Sequence, residues 1–405
     1  MLFLKDQRLK NNSINIDNPQ KIKKADIIVG IPSYNEAKTI SFVIEQSALG
    51  LKKYFPDKNS VIINLDHESP DGTKQAFFNA KSDISRIYIS TGKDIKGKGR
   101  NFYNLFSISQ KLRAKAIIVF DADLRSIRPN WVKKMAEPIF DGFDYITPYY
   151  MRCKTDATIT NHLVYPLIYS LFGWNIRQPI GGDFAFSNKM VDHWLKEKWP
   201  ETAYQFGIDV FMSLGAFLSK AKTRQVNLGS KLHNLSNPKL GPMFYQVTET
   251  LFKIISDNLD KIKKINEVDN VPILGGKSLP ILANAIPDEE LFRSIFWDNL
   301  DRHWDLIKNV IKEPVRQKFI KDIKNKEIAI GLKKWNRIVF DFLDAYCKED
   351  YNRSDLIEAL GCLYFGRVVS FYNKNGDATP EKIEKEVVKR VKYFFKKRDY
   401  FLNKI

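Results

Sequence analysis

The sequence predicts an α/β fold: a doubly wound, mostly parallel sheet followed by an α-helical C-terminal region. Two patterns carry that prediction. In the first 120 residues, short apolar runs alternate with stretches of helical spacing, as in βα units whose strands are covered on both faces. From about residue 242 onward glycine thins out and helical periodicity takes over. The chain of 405 residues is too long for one ordinary core.

Residues 25–32 (ADIIVGIP) form an apolar run closed by Gly-Ile-Pro and read as the first buried strand, with helical spacing over 35–51. Residues 60–65 (SVIINL) are the second strand, followed by a turn-rich stretch at 67–72 and a helix over 73–80. The third strand is 86–90 (RIYIS), then a helix over 100–112, then the fourth strand, 116–120 (AIIVF). Later helices are expected over 289–311, 333–347, 355–372 and 381–401, the last basic and amphipathic. Between them, Pro272, Gly275, Gly276, Pro280 and Pro287 break the pattern. The expected organisation is an N-terminal extension (1–24), an α/β domain (25–240), a linker (241–285) and a helical domain (286–405).

Composition narrows the function classes. Hydrophobic residues at 44% and charged residues at 28% describe a globular chain, not a disordered one. Three cysteines, Cys153, Cys347 and Cys362, exclude a disulfide scaffold and a cysteine zinc site and favour a reducing, cytoplasmic compartment. The polar N-terminus is no secretory signal, and the apolar stretch 163–174 is too short to span a bilayer. The net charge of +18 suits anionic partners, although most lysines simply form a solvated surface. Neither a zinc-finger spacing nor an aromatic RNA-binding motif supports nucleic acid. Lys389 to Lys397, with Tyr393, Phe394 and Phe395 interleaved, is read as a packed amphipathic helix rather than a lipid-binding one.

The strongest chemical signal is Asp121-Ala122-Asp123 directly after the fourth strand. Two carboxylates at i and i+2 on a strand end can both approach a divalent cation bridged to phosphates; the plain alternative is a helix-capping pair. Residues 31–36 (IPSYNE) follow the first strand and 64–73 (NLDHESPDGT) the second, at the same sheet edge where such folds bind ligands. Asp66 can accept from a ribose or base, or simply close an Asx turn. In 97–100 (GKGR), glycines permit close backbone approach and Lys98 can meet a phosphate at a helix start.

In this order the motifs resemble nucleotide-sugar glycosyltransferases of the GT-A fold. Residues 178–183 (QPIGGD), 206–209 (FGID) and 226–229 (VNLG) with His233 are similar to the retaining enzymes that make glycosylglycerates: mannosylglycerate synthase, glucosylglycerate synthase and glucosyl-3-phosphoglycerate synthase. Residues 150–160 (YMRCKTDATIT) resemble the acceptor segment of the first, and the helical tail with 363–367 (LYFGR) matches the longer members in layout. The resemblance implies a divalent metal, Mg or Mn, held by Asp123 and His233 with Asp121 beside it. It implies donor contacts from Pro32, Tyr34, Glu36, Asp66, Lys98, Asp121, Ala122, Gly181 and Gly182. Asp209 and Asp183 lie near the reacting sugar, and Arg152, Thr155 and Thr158 hold the acceptor carboxylate and hydroxyl. It implies transfer of a hexose, glucose foremost, to D-glycerate, yielding a compatible solute, in a homo-oligomer such as a dimer. Retention proceeds by same-face attack or by double displacement through Asp209 or Asp183. Other acceptors (3-phosphoglycerate, a lipid phosphate, a polysaccharide) and an inactive binding or scaffold protein are the competing readings. Two departures stand out: Asp183 where glutamate is usual, and residues 234–237 (NLSN) in place of a tyrosine-containing segment.

Overall fold

The computed structural model describes residues 14–92, 96–152, 155–234, 239–276, 288–376 and 378–405. Cys153 and Lys154 of the expected acceptor segment, Leu235, Ser236 and Asn237 shortly after His233, and Pro280 and Pro287 of the expected linker lie outside the described residues. The elements run β1 (Ile14–Asp17), β2 (Ile27–Pro32), α1 (Ile40–Tyr54), β3 (Ser60–Asp66), α2 (Thr73–Asn79), β4 (Ser85–Thr91), α3 (Lys98–Leu112), β5 (Ala116–Val119), α4 (Pro129–Phe140) and β6 (Tyr145–Met151). They continue with α5 (Tyr165–Leu171), β7 (Trp174–Asn175), β8 (Phe184–Ser187), α6 (Asn188–Lys196), α7 (Ile208–Leu218), β9 (Thr223–Ser230), α8 (Leu240–Ser256), α9 (Leu259–Ile262), β10 (Asp269–Asn270) and β11 (Ile273–Leu274). The last are α10 (Glu289–Val310), α11 (Val315–Lys324), α12 (Leu332–Lys348), α13 (Arg353–Asn375), α14 (Pro380–Lys396) and α15 (Asp399–Leu402).

The chain divides into two compact units, one of residues 1–150, 181–234 and 272–277, the other of 151–180, 235–271 and 278–405. The first unit holds a sheet of order β1-β4-β3-β2-β5-β8-β6-β9-β11. Its heart, β4-β3-β2-β5, is parallel, while β8 runs antiparallel to both β5 and β6. The four predicted strands are therefore the parallel half of a mixed sheet. Strand β2 pairs with β3 on one side and β5 on the other, so the chain reverses its direction of growth there, and crevices at such points open at the carboxyl ends of the strands.

Alternation within the strands covers both faces. Ile27, Val29, Ile31, Ile62 and Ile118 pack with Val43 and Ile44 of α1 and Val132 and Met135 of α4. On the other face Gly30 lies against Leu105 of α3, and Phe106 stacks on Trp194 of α6 with ring centroids 5.2 Å apart. Helix α1 starts at Ile40 rather than near residue 35, because Asn35 adopts φ +60°, a left-handed turn that a helix cannot contain.

The helical unit corrects the expected domain plan. The stretch 241–285 is not simply a linker: it opens within α8, whose Leu240, Phe244, Val247, Leu251 and Ile255 form a buried stripe of helical spacing. Residues 151–152 and 155–180 group with this unit as well, although Met151 is also the last residue of β6. Thr158 and Tyr364 share a hydroxyl hydrogen bond of 2.6 Å, Trp335 donates to the His162 carbonyl at 2.7 Å, and Arg177 makes a two-pronged pair with Glu384. Tyr364 and Arg367 of the LYFGR segment are core residues of α13. The expected terminal helix breaks into α14 and α15. The apolar face of α14 is packed, with Val387 and Val391 against Tyr165, while Lys389, Lys392 and Lys396 are exposed. Among the described residues no helix is long and apolar enough to cross a membrane.

Phe106 makes no contact with solvent and also meets Phe186 and Trp199 edge-on. Phe106→Ala should destabilise the sheet unit by about 3–5 kcal/mol, read as a lower urea midpoint with unchanged helical content at neutral pH.

Candidate active site

Two loops at the carboxyl edge of the sheet are stitched together by the residues the sequence places there. The Asn35 amide donates to Ser69 Oγ at 2.8 Å, the Glu36 amide to Thr73 Oγ1 at 2.9 Å and the Ala37 amide to Asp71 Oδ2 at 3.0 Å. Pro32 closes β2, and the Tyr34 ring lies 5.1 Å from Lys96 Nζ. The Glu36 carboxylate accepts from the Thr39 hydroxyl at 2.9 Å. Asp66 is 1% exposed and accepts from the Ser69 amide (2.8 Å), the Ser69 hydroxyl (2.6 Å), the Tyr88 hydroxyl (2.7 Å) and, at 3.4 Å, the Ser33 hydroxyl. A carboxylate offers about four acceptor positions, so Asp66 braces these two loops as it stands. Contact with a nucleoside requires one of those donors to give way.

The centre of the site is a buried cluster of charges. Lys231 Nζ lies 2.6 Å from Asp121 Oδ2, 2.7 Å from Asp183 Oδ2 and 2.9 Å from the Gly181 carbonyl. Lys98, the first residue of α3, lies 3.3 Å from Asp121 and 3.4 Å from Asp209, the second residue of α7. The backbone between these charges is as close as it can be: Gly182 has φ +87°, and a Cβ there would fall 2.4 Å from Asp121 Oδ2. Burial opposes the charge of Asp121, but Lys231 and Lys98 overcome it and hold the carboxyl far below its ordinary range. Burial raises the carboxyls of Asp183 and Asp209 above theirs, the lysines offsetting it only in part. Lys98 is held above the ordinary lysine range, burial being outweighed by Asp121, Asp209 and Asp183.

Asp183 has no exposed surface; it also accepts from the Tyr150 hydroxyl at 2.7 Å and the Asp121 amide at 2.9 Å. With both oxygens hydrogen-bonded, Asp183 braces Asp121. Asp121 is paired with two ammonium groups and keeps part of its side chain exposed. Ala122 is buried behind it.

The segments that carry Asp123 and His233 are tied to each other by neighbouring residues. The Arg125 amide donates to the Leu232 carbonyl (2.8 Å), the Arg125 side chain to the His233 carbonyl (2.9 Å), and the Asn234 amide to Asp123 Oδ2 (2.9 Å). Among the described residues no three of His, Cys, Asp and Glu are grouped to hold a metal. One carboxylate and one imidazole nevertheless fit a cation that takes its remaining oxygens from a phosphate ligand.

Arg152, Thr155 and Thr158, the expected acceptor residues, lie in the helical unit. Arg152 pairs with Asp156 and donates to Gln178 Oε1 at 3.2 Å, Thr158 is bonded to Tyr364, and the Thr155 carbonyl accepts from Tyr372 at 3.5 Å. Sequence reasoning missed Lys231 and the bracing roles of Tyr150 and Tyr364. For Lys231 the available signal was a lysine two residues before His233, in a run after a strand.

Residues 71–234 match the family model described as "Mannosylglycerate synthase, GT domain". The matched stretch contains Lys98, Asp121, Asp123, Asp183, Asp209, Lys231 and His233. The chain is 26% identical to mannosylglycerate synthase of Rhodothermus marinus over 157 residues, 34% of this chain and 38% of the relative's length. The chain therefore spans well under half of that relative. Among solved structures it is similar to glucosyl-3-phosphoglycerate synthase of Mycobacterium tuberculosis in complex with Mn2+, UDP and phosphoglyceric acid, at 24% identity and TM-score 0.46, covering 56% of this chain and 78% of that one. The same enzyme with Mg2+ and UDP gives 23% identity and TM-score 0.46, covering 56% and 79%.

Lys231→Met should cost about 3–5 kcal/mol at neutral pH, because it leaves Asp183 charged without an ammonium partner. The loss should shrink as pH falls, since the raised Asp183 carboxyl takes its proton in the folded state before it does so in the unfolded chain. Urea unfolding between pH 4.5 and 7.5 reads both effects, and a loss independent of pH refutes the pairing argument.

Proposed function

We propose that this chain is a metal-dependent, retaining glycosyltransferase that moves a hexose, foremost glucose, from a nucleotide sugar to D-glycerate or a related small hydroxy acid. The observation that carries the reading is the buried Lys98–Asp121–Lys231 arrangement, with Asp209 beside Lys98, at the carboxyl edge of a parallel sheet. Two fixed ammonium groups in a site poor in water stabilise negative charge on a leaving diphosphate far more than they would in solvent. The family match over this stretch supports the same chemistry.

Asp123 and His233 would hold a divalent cation, Mg or Mn. When bound, the cation supplies Lewis-acid neutralisation of the diphosphate. Lys98 orients the donor's phosphate side while its own charge is kept by three carboxylates. Asp209 sits in the first turn of α7, where the helix dipole favours a negative charge, and is the carboxylate left beside the reacting sugar. Asp183 keeps Asp121 in register. Because Asp183 is enclosed, same-face attack by the acceptor is favoured over a covalent intermediate on that residue. On the acceptor side, the Arg152 guanidinium suits a carboxylate in two-pronged geometry, and binding there exchanges its Asp156 partner for the ligand.

The deciding experiment is a donor-by-acceptor matrix: UDP-, GDP- and ADP-hexoses against glycerate, 3-phosphoglycerate and glycerol, with and without Mg or Mn. Transfer to glycerate that needs the metal is expected. Asp123→Ala should lower turnover about a hundredfold or more while leaving the melting temperature unchanged. Arg152→Ala should raise the acceptor KM at least about tenfold with little change for the donor, and Arg152→Lys should not restore it. No preference for glycerate over glycerol, together with unchanged acceptor kinetics in Arg152→Ala, refutes the acceptor assignment.

A further inference from the structure

His67 follows β3 directly, is 4% exposed, and has no part in the reading above. Its Nδ1 lies 2.6 Å from Thr91 Oγ1, at the end of β4, and its Nε2 lies 3.2 Å from the Gly97 amide nitrogen. Nε2 is also 3.1 Å from the Gly97 carbonyl oxygen, but that oxygen already accepts from the amides of Arg100 (3.0 Å) and Asn101 (3.3 Å). The Thr91 hydroxyl has the Asp66 carbonyl as an acceptor at 3.4 Å, which leaves its own oxygen to receive Nδ1–H. The consistent arrangement is a neutral ring protonated on Nδ1, whose Nε2 accepts from Gly97.

Gly97 is the N-cap of α3 and offers no side chain to secure the helix start. Its φ of +147° and the Tyr204 carbonyl, 2.3 Å from where a Cβ would stand, show how tightly that corner is confined. The next residue is Lys98.

We propose that His67 is a positioning residue: its neutral imidazole ties the Gly97 amide, and with it the turn that aims Lys98, to the ends of β3 and β4. The importance of that aim for turnover rests on the proposed transferase; the tie itself does not. An imidazolium cannot accept from the Gly97 amide, so protonation breaks that bond and leaves Nε2–H facing the Gly97 carbonyl, which Arg100 and Asn101 already occupy. The groups facing the ring are the Gly97 carbonyl and Asp66, which favour its charge, and Arg100 and Lys96, which oppose it. Burial is the largest influence and lowers the pKa below the ordinary histidine value. The bond from the Gly97 amide therefore holds at neutral pH and is lost as pH falls through the lowered value.

Two measurements test this. In the ligand-free protein, 15N NMR should show the Nδ1–H tautomer of His67 at pH 7.5, and the Gly97 amide shift should follow the ring's titration with the same midpoint. In the transfer assay, His67→Ala should lower kcat about 10–100-fold. His67→Gln, which can still accept from Gly97 but does not titrate, should keep wild-type turnover at pH 7.5 within a few-fold and lose the acid limb of the wild-type pH profile. A Gly97 amide indifferent to the His67 titration, or an acid limb identical in wild type and His67→Gln, overturns the proposal. If no nucleotide sugar is turned over, the transferase reading fails and the NMR titration still decides the tie.

Discussion

Three carboxylates and two ammonium groups share one nearly dry corner of this molecule, and much else is arranged to make that tolerable. Taking each ion out of water costs several kcal/mol, repaid only by close partners and full hydrogen bonding. Lys231, its side chain 3% exposed, meets that demand with Asp121, Asp183 and the Gly181 carbonyl. Asp183 meets it with Lys231, Tyr150 and the Asp121 amide. The contributors come from six separate places: the end of β5, the start of α3, β6, the run before β8, the start of α7 and the run after β9. The cluster exists only when the sheet and its covering helices are correctly assembled.

That dependence explains the backbone around it. Gly182 must lack a Cβ for Asp121 and Lys231 to close, and Gly97 must lack one where the α3 start passes Tyr204. The same corner is held from behind by hydrogen bonds from loops after β2 and β3, in which Asp66, Asp71, Ser69 and Thr73 serve one another. The polar residues that look like ligand contacts in the sequence therefore divide into those that keep exposed surface and those that brace the loops. Asp66 and Asp183 are braces in this structure; Lys98 and Asp209 retain some exposure.

Much of the fold was legible. Residues 60–65 and 86–90 are strands within one residue of their observed ends, because apolar β-branched runs bounded by turn residues have few other uses. The antiparallel β8 was not legible: FAFS is four residues long and is defined by its partners β5 and β6 rather than by its own pattern. The linker reading of 241–285 failed at α8 because the breakers at 272–287 drew attention from the stripe of Leu240, Phe244, Val247 and Leu251 that precedes them.

What the sequence by itself determined is local or ordinal: the alternation of strands and helices, the acidic pair after AIIVF, the basic turn GKGR, and the order in which these occur. Period and composition record such features directly, since they arise within a few residues. The tertiary structure alone decided which charges meet. Lys231 reaches Asp121 across 110 residues and Asp183 across 48, and no local pattern encodes a partner at that separation. It also decided that Asp183 is enclosed rather than open to substrate, that residues 151–152 and 155–180 group with the helical unit, and that His67 touches Gly97. Each of these follows from where desolvation leaves a polar group only one set of partners, a condition that arises once the chain has packed.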